Sequence, residues 1–103
     1  MASVYHKGES IVFPICITAP ECSELNIGEA NITVLIRDRY YNDICTIKED
    51  SSMLRIDEET NTLYVFLEGL LTNTMEGMYF VHAELEVDGY KIITNELNII
   101  EIV

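Results

Sequence analysis

Apolar residues in this chain recur at every second position, in one run after another. Ile11, Phe13, Ile15 and Ile17 alternate with Val12, Pro14, Cys16 and Thr18, and Ile32, Val34 and Ile36 alternate with Thr33, Leu35 and Arg37. Tyr79, Val81, Ala83, Leu85 and Val87 alternate with Met78, Phe80, His82, Glu84 and Glu86. A two-residue period sends successive side chains to opposite sides of an extended backbone, so these runs are predicted strands with one face turned to a core. No run repeats at the helical spacing over comparable length, which leaves an all-β chain.

The remaining segments divide along the same lines. Pro14 has no N–H for a hydrogen-bonded ladder, so the first strand belongs at a sheet edge or at a bulge. Ala19 to Glu24 reads as a polar loop, Arg39 to Asp43 as a turn, Ile44 to Lys48 as a short strand, and Glu49 to Ser52 as its end. Met53 to Asp57 and Thr62 to Leu67 form a hairpin around Glu58-Glu59-Thr60-Asn61, with Leu63, Val65 and Leu67 facing inward. Glu68 to Glu76 lacks alternation and is expected to cross over with one helical turn, Leu70 and Leu71 tucked beneath it. Asp88-Gly89 is a two-residue hairpin turn, because such turns demand positive φ. Tyr90 to Val103 is the last strand run.

About seven short strands with turn signals roughly every ten residues predict an immunoglobulin-like antiparallel β-sandwich. A small up-and-down barrel is the alternative closure. The antibody type is excluded, since the chain has no Trp and no cysteine in the Met78 to Val87 strand. Gly77-Met78-Tyr79 suits a tyrosine corner, in which the phenol holds the preceding crossover. Neither a repeat nor a linker interrupts the pattern, and residues 1–103 read as a single domain.

Charge narrows the partners. Eighteen acids against six bases give a net charge of -12, which argues against nucleic-acid backbones and anionic membrane surfaces. Met1 to Gly8 lacks the apolar segment of a signal peptide, and no apolar run approaches the ~18 residues that span a bilayer. Cys16, Cys22 and Cys45 are odd in number and match no zinc spacing, and reduced thiols are expected. His6 and His82 stand apart from any nucleophile pattern, and the glycines stand singly, without a phosphate loop. Glu49-Asp50 and Asp57-Glu58-Glu59 lack the alternating spacing of a calcium loop and read as solvated turns. No catalytic, cofactor-binding or metal-ligating residue is assigned, and no enzyme activity is expected.

Two stretches point outward. Arg39, Tyr40 and Tyr41 occupy a turn and belong to residue types favoured at protein interfaces. Leu97 to Val103 is apolar on both faces and must be buried in its own sandwich or covered by another chain, because an open edge of that composition aggregates. Arg39, Tyr40, Tyr41, Asn98, Ile100 and Ile102 are therefore the candidate interaction surface.

Gly8-Glu9-Ser10 precedes the alternating Ile11 to Ile15. Leu25-Asn26-Ile27-Gly28-Glu29-Ala30 leads into Asn31 to Asp38, and Ile56-Asp57 turns into the strand ending at Leu67. Gly77-Met78-Tyr79 is followed by Asp88-Gly89. In these features the sequence resembles the immunoglobulin-like domains of tailed-bacteriophage structural proteins, such as the N-terminal domain of baseplate upper proteins. The resemblance implies a non-enzymatic virion protein, assembled in the bacterial host cytoplasm and present in many copies. In baseplate proteins a longer chain follows this domain, whereas here the sequence stops with the last strand. An auxiliary (decoration) capsid protein, docked on the major capsid protein or other virion proteins, is thus the expected role. A tail, baseplate or fibre-attachment adaptor is the alternative, and a cytosolic peptide- or carbohydrate-binding module a second one.

Overall fold

The computed structural model describes residues 3–17, 27–87, 89–93 and 98–103. Among them are nine strands: β1 (Ser3–Tyr5), β2 (Ile11–Cys16), β3 (Asn31–Asp38), β4 (Asp43–Lys48), β5 (Leu54–Asp57), β6 (Thr62–Leu67), β7 (Gly77–Val87), β8 (Tyr90–Ile93) and β9 (Asn98–Ile102). A 3-10 turn spans Ile27–Glu29 and a short helix, α1, spans Gly69–Thr72.

The strands form a sandwich. One sheet has the order β2-β6-β5; the other runs β1-β9-β7-β3-β4, with β8 also paired to β7. The chain changes sheet between β1 and β2, between β2 and β3, between β4 and β5, and between β6 and β7, the Greek-key crossing of an immunoglobulin-like sandwich. Alternate residues from both sheets meet in one core: Ile11, Phe13, Ile15, Leu63, Val65 and Leu67 from the smaller, and Ile32, Val34, Ile36, Val81, Ala83 and Leu85 from the larger.

Pro14 sits where its chemistry allows. β2 pairs only with β6 among the described strands and is thus an edge. The Ile17 N–H donates to the Asn61 carbonyl at 2.8 Å. By alternation the N–H groups of Ile11, Phe13 and Ile15 also face β6, and position 14 faces outward. The missing donor therefore costs the β2–β6 ladder nothing and leaves a gap in the middle of the open edge.

Two expectations change in detail. The run from Tyr90 is two strands rather than one. β8 pairs Tyr90 with Val87 through Ile93 with Glu84, and β9 pairs Asn98 with Val81 through Ile102 with Gly77. β7 spends two residues, His82 and Ala83, where the partnering chain spends four, so the ladder breaks and resumes. The sheet is also mixed, because β1 pairs parallel with β9. Three residues carry too little alternation to be read as a strand; β1 exists because β9 offers it a free side. The Val103 N–H donates to the Tyr5 carbonyl at 2.9 Å and the Lys7 N–H to the Val103 carbonyl at 2.8 Å, so the ladder beside His6 is tied down.

The crossover from β6 to β7 is held from both ends. The Thr72 hydroxyl donates to the Glu9 carbonyl at 2.7 Å, and the Gly69 N–H donates to the Ser10 hydroxyl at 3.2 Å. A Cβ on Gly69 would lie 2.4 Å from the Gly8 carbonyl oxygen, so only glycine lets these two backbones meet. Leu70 is not tucked beneath the crossover as expected but stands 86% exposed. Thr72 and Met75 are buried there instead, because one helical turn rotates position 70 away from the core. At the start of β7, the buried Tyr79 accepts the Glu76 N–H on its hydroxyl at 2.8 Å, which makes the tyrosine corner.

Candidate functional site

Five hydrogen bonds close the exposed β3–β4 connection. Asp38, the last residue of β3, organises it with one carboxylate. Its Oδ1 accepts the N–H groups of Tyr40 at 2.9 Å and Asn42 at 3.0 Å, and its Oδ2 accepts from the Asn42 side-chain amide at 3.1 Å. Backbone bonds close the same loop, with the Tyr41 N–H donating to the Asp38 carbonyl at 3.0 Å and the Asp38 N–H to the Asn42 carbonyl at 3.1 Å. An aspartate that binds the backbone two residues on is a turn-forming device of its own. The bond from the Asn42 backbone N–H, then those from its side chain and from Tyr40, together with nearby Arg39, hold the Asp38 carboxyl below the usual aspartate range, against a smaller opposing effect of desolvation.

The turn carries its aromatics in fixed poses. Tyr41 adopts φ +64°, a left-handed conformation that disfavours a bulky side chain. It is compensated by the hydrogen bonds above and by stacking on Phe80 of β7, with centroids 5.4 Å apart and rings 8° from parallel. The Arg39 guanidinium lies 4.9 Å over the Tyr40 ring. Behind the turn, Arg37 Nε donates to Asp43 Oδ1 at 2.8 Å. Tyr40 and Tyr41 remain 69% and 57% exposed, so both rings are displayed rather than packed away.

The six candidate surface residues separate accordingly. Arg39, Tyr40 and Tyr41 come together at this tip. Ile100 and Ile102 do not belong to any surface: they are 3% and 1% exposed and point into the core. The physical reason is register: Ile100 lies opposite the buried Tyr79 and Ile102 opposite Gly77, on the inward face of β9, while β1 pairs with its backbone edge. Of the two ways to protect the apolar ending, the sandwich itself supplies the cover. The Asn98 backbone pairs with Val81; its side chain lies outside the described residues.

Other chemistry-bearing residues stay dispersed. His82 is buried within β7 and His6 is exposed. Asp57 Oδ1 accepts the Glu59 N–H at 3.1 Å, which is turn chemistry, and no three His, Cys, Asp or Glu side chains converge on a metal position among the described residues. Gly28, Arg55, Ile56, Asp57, Glu58 and Glu59 line a shallow open groove of about 440 Å³. Glu49 accepts the Ile32 N–H at 3.1 Å, and bonds from its own N–H and then from that of Ile32 keep its carboxyl below the ordinary range. Cys16 and Cys45 are free thiols, the latter pushed up in pKa by burial; Cys22 and the polar loop from Ala19 to Glu24 lie outside the described residues. No helix among the described residues is long and apolar enough to cross a membrane.

Sequence reasoning missed Asp38 and Phe80. Asp38 closes a strand and is followed at once by a turn with Asn42 four residues on, a signal for an aspartate-organised turn. Phe80 is a large aromatic at a position that the alternation assigns to solvent, and that mismatch marks an outer face with something to cover.

Fold and tip together define an immunoglobulin-like β-sandwich that displays one rigid aromatic turn. The chain matches no family model and no curated protein sequence.

Proposed function

We propose that this protein is a non-enzymatic docking module of a larger assembly. In the form that its resemblance to phage immunoglobulin-like domains supports, it is an auxiliary (decoration) capsid protein. The observation that carries the reading is the preorganised tip: Arg39, Tyr40 and Tyr41 are exposed yet held by the Asp38 hydrogen bonds and the Phe80 stack. Exposed Tyr and Arg that are already immobilised lose little side-chain freedom on binding, and this is how a small contact becomes an effective anchor. Strain at Tyr41 fits the same role, since unfavourable backbone conformations persist where function uses them.

In this role the sandwich is a rigid spacer and the tip lies across neighbouring shell subunits. Contacts near ~800 Å² per partner suffice when a subunit is held at several points. The net charge of -12 favours a basic docking surface, so rising salt releases the protein.

Quantitative mass spectrometry of purified particles from the source tests this. A copy number close to that of the major shell protein supports the decoration role, and a few copies matching tail symmetry transfer it to an adaptor. Absence from particles ends both readings and leaves a cytosolic binding module.

A further inference from the structure

Register places three connections at one end of the sandwich. Asp38 of β3 lies opposite Tyr79, and Gly77 at the start of β7 lies opposite Ile102, as does Tyr5 of β1 through β9. Residues 6–10 join that end of β1 to the start of β2, where Ile11 lies opposite Leu67 of β6. The β3–β4 turn, the β1–β2 loop and the crossover carrying α1 therefore leave the two sheets together. Tyr40 and Tyr41 are exposed at this end, and so is Leu70, the most exposed large hydrophobic side chain among the described residues. At the opposite end, residues 27–30, 49–50 and 58–61 display no large apolar side chain and carry Glu29, Glu49, Asp50, Glu58 and Glu59.

Leu70 is displayed on a fixed backbone. Gly69 before it is bonded to the Ser10 hydroxyl and pressed against the Gly8 carbonyl. Leu71 after it packs against the core, and the buried Thr72 is bonded to the Glu9 carbonyl. A single leucine on a surface needs no explanation. This one shares its end of the molecule with two exposed tyrosines whose backbone is also held, so both groups lose little freedom when they meet a partner.

The charges around Leu70 select what it meets. Glu9, Glu68 and Glu76 are exposed on the crossover and on the loop bonded to it, against one base, Lys7. Neither ion pair among the described residues uses any of these four, since they join Arg37 to Asp43 and Lys91 to Glu84. An apolar group ringed by unpaired carboxylates is matched by an apolar socket rimmed with Lys or Arg, and is repelled by nucleic-acid phosphates and anionic lipid. The molecule measures 39 × 25 × 21 Å, and the eleven residues of β7 extend ~36 Å, so its length runs along the strands. An end of 25 by 21 Å gives a footprint on the order of 500 Å², the size of a weak contact that gains strength by repetition.

We infer that the protein docks end-on, with Leu70 of α1 as a second anchor on the tip's end, seated in an apolar socket of a protein partner whose rim is basic. This rests on the docking-module reading and adds to it a second contact point and the chemistry of the surface that receives it. Glu9, Glu68 and Glu76 make the Leu70 contact sensitive to salt.

Particles purified from the source and stripped of this chain at high salt are the probe, and rebinding of the full chain at low salt is read by co-sedimentation. The wild-type chain is expected to rebind. Leu70→Ala weakens rebinding by about tenfold or more, because an apolar side chain is lost from a closed contact. Glu68→Lys combined with Glu76→Lys also weakens it and flattens its dependence on salt, whereas Val12→Thr, on the three-stranded sheet, leaves it unchanged. Leu70 is exposed, so its truncation leaves the fold intact by circular dichroism. Leu70→Ala that rebinds like the wild type, while Tyr40→Ala does not, overturns the second anchor and leaves the tip standing. A wild-type chain that does not rebind overturns both. Leu70-dependent binding to phosphatidylcholine vesicles assigns the side chain to a lipid surface and overturns the protein socket.

Discussion

The two faces of β3 and β7 are made from alternate residues of the same two segments, and they serve different ends. Inward, Ile32, Val34, Ile36, Val81, Ala83 and Leu85 are fully buried, aliphatic and free of charge. Outward, Thr33, Leu35, Arg37, Phe80 and Glu84 are half-buried and mix apolar, basic and acidic groups. A purely solvated face needs no Phe or Leu at its centre, and the Arg37 and Glu84 beside them are each ion-paired, with Asp43 and Lys91. The outer face is mixed in composition, with Leu35 and Phe80 half-buried among charged neighbours and His82 buried beside Leu35. The difference shows that alternation assigns a side to each residue without saying that the other side is water.

Neighbouring substitutions on β3 break that comparison most directly. Ile36→Ala, on the core face, is expected to lower unfolding free energy by about 2–5 kcal/mol through lost burial and the cavity left behind. Leu35→Ala, one residue away on the outer face, should cost about 1 kcal/mol or less. Urea denaturation of both variants measures the gap, and equal losses would mean that the outer face is a second core.

The crossover that lids the inner face comes next in size. Gly69→Ala drives a methyl group toward the Gly8 carbonyl at 2.4 Å, and the backbones must part. A loss of about 1–3 kcal/mol is expected, as for overpacking elsewhere, and calorimetry of the variant reads it. A stability unchanged by the methyl would show that the β1–β2 loop and α1 are not in contact in solution.

Tyr79→Phe sharpens the inner face at one atom. It keeps the ring in the core and removes the oxygen that accepts the Glu76 N–H at 2.8 Å. About 1 kcal/mol should be lost. Proton exchange at the Glu76 amide should accelerate beyond that global change, and an amide that stays protected would assign the corner no holding role.

The smallest effect lies at the tip. Because the folded pKa of Asp38 is depressed, its contribution to turn order is complete above the ordinary carboxylate range and is lost as pH falls through the lowered value. Followed by NMR, the Tyr40 and Asn42 amide shifts should titrate with a midpoint below that of an unperturbed aspartate, while the core amides of β3 and β7 stay fixed. Asp38→Ala should abolish this transition with little change in global stability, since the carboxylate is exposed. A midpoint at the ordinary value would show that the carboxylate does not hold the turn.

Much of the fold was legible because alternation is a local property. β3, β6, the β7 core face and the edge position of Pro14 follow from side-chain order and from a missing N–H, and neither depends on distant residues. β1 was not legible, since three residues become a strand only where another strand presents an unpaired side. The break between β8 and β9 falls at Thr94-Asn95-Glu96, a polar interruption of the apolar run, and the ladder changes register there against His82 and Ala83. Arg39, Tyr40 and Tyr41 were legible as an exposed turn. Ile100 and Ile102 were misplaced as surface because the inward face of β9 follows from its register on β7, opposite Tyr79 and Gly77.

By itself the sequence determined which residues are extended, which side of each strand is apolar, and that the molecule is strongly acidic, all consequences of side-chain chemistry within a few positions. The tertiary structure decided that the ending of the chain is core rather than edge. It decided that Tyr41 stacks on Phe80 across two strands, and that Leu70 and the tip share one end of the molecule. These depend on which strands become neighbours, and neighbours are chosen by burial of the whole chain at once, not by any one segment.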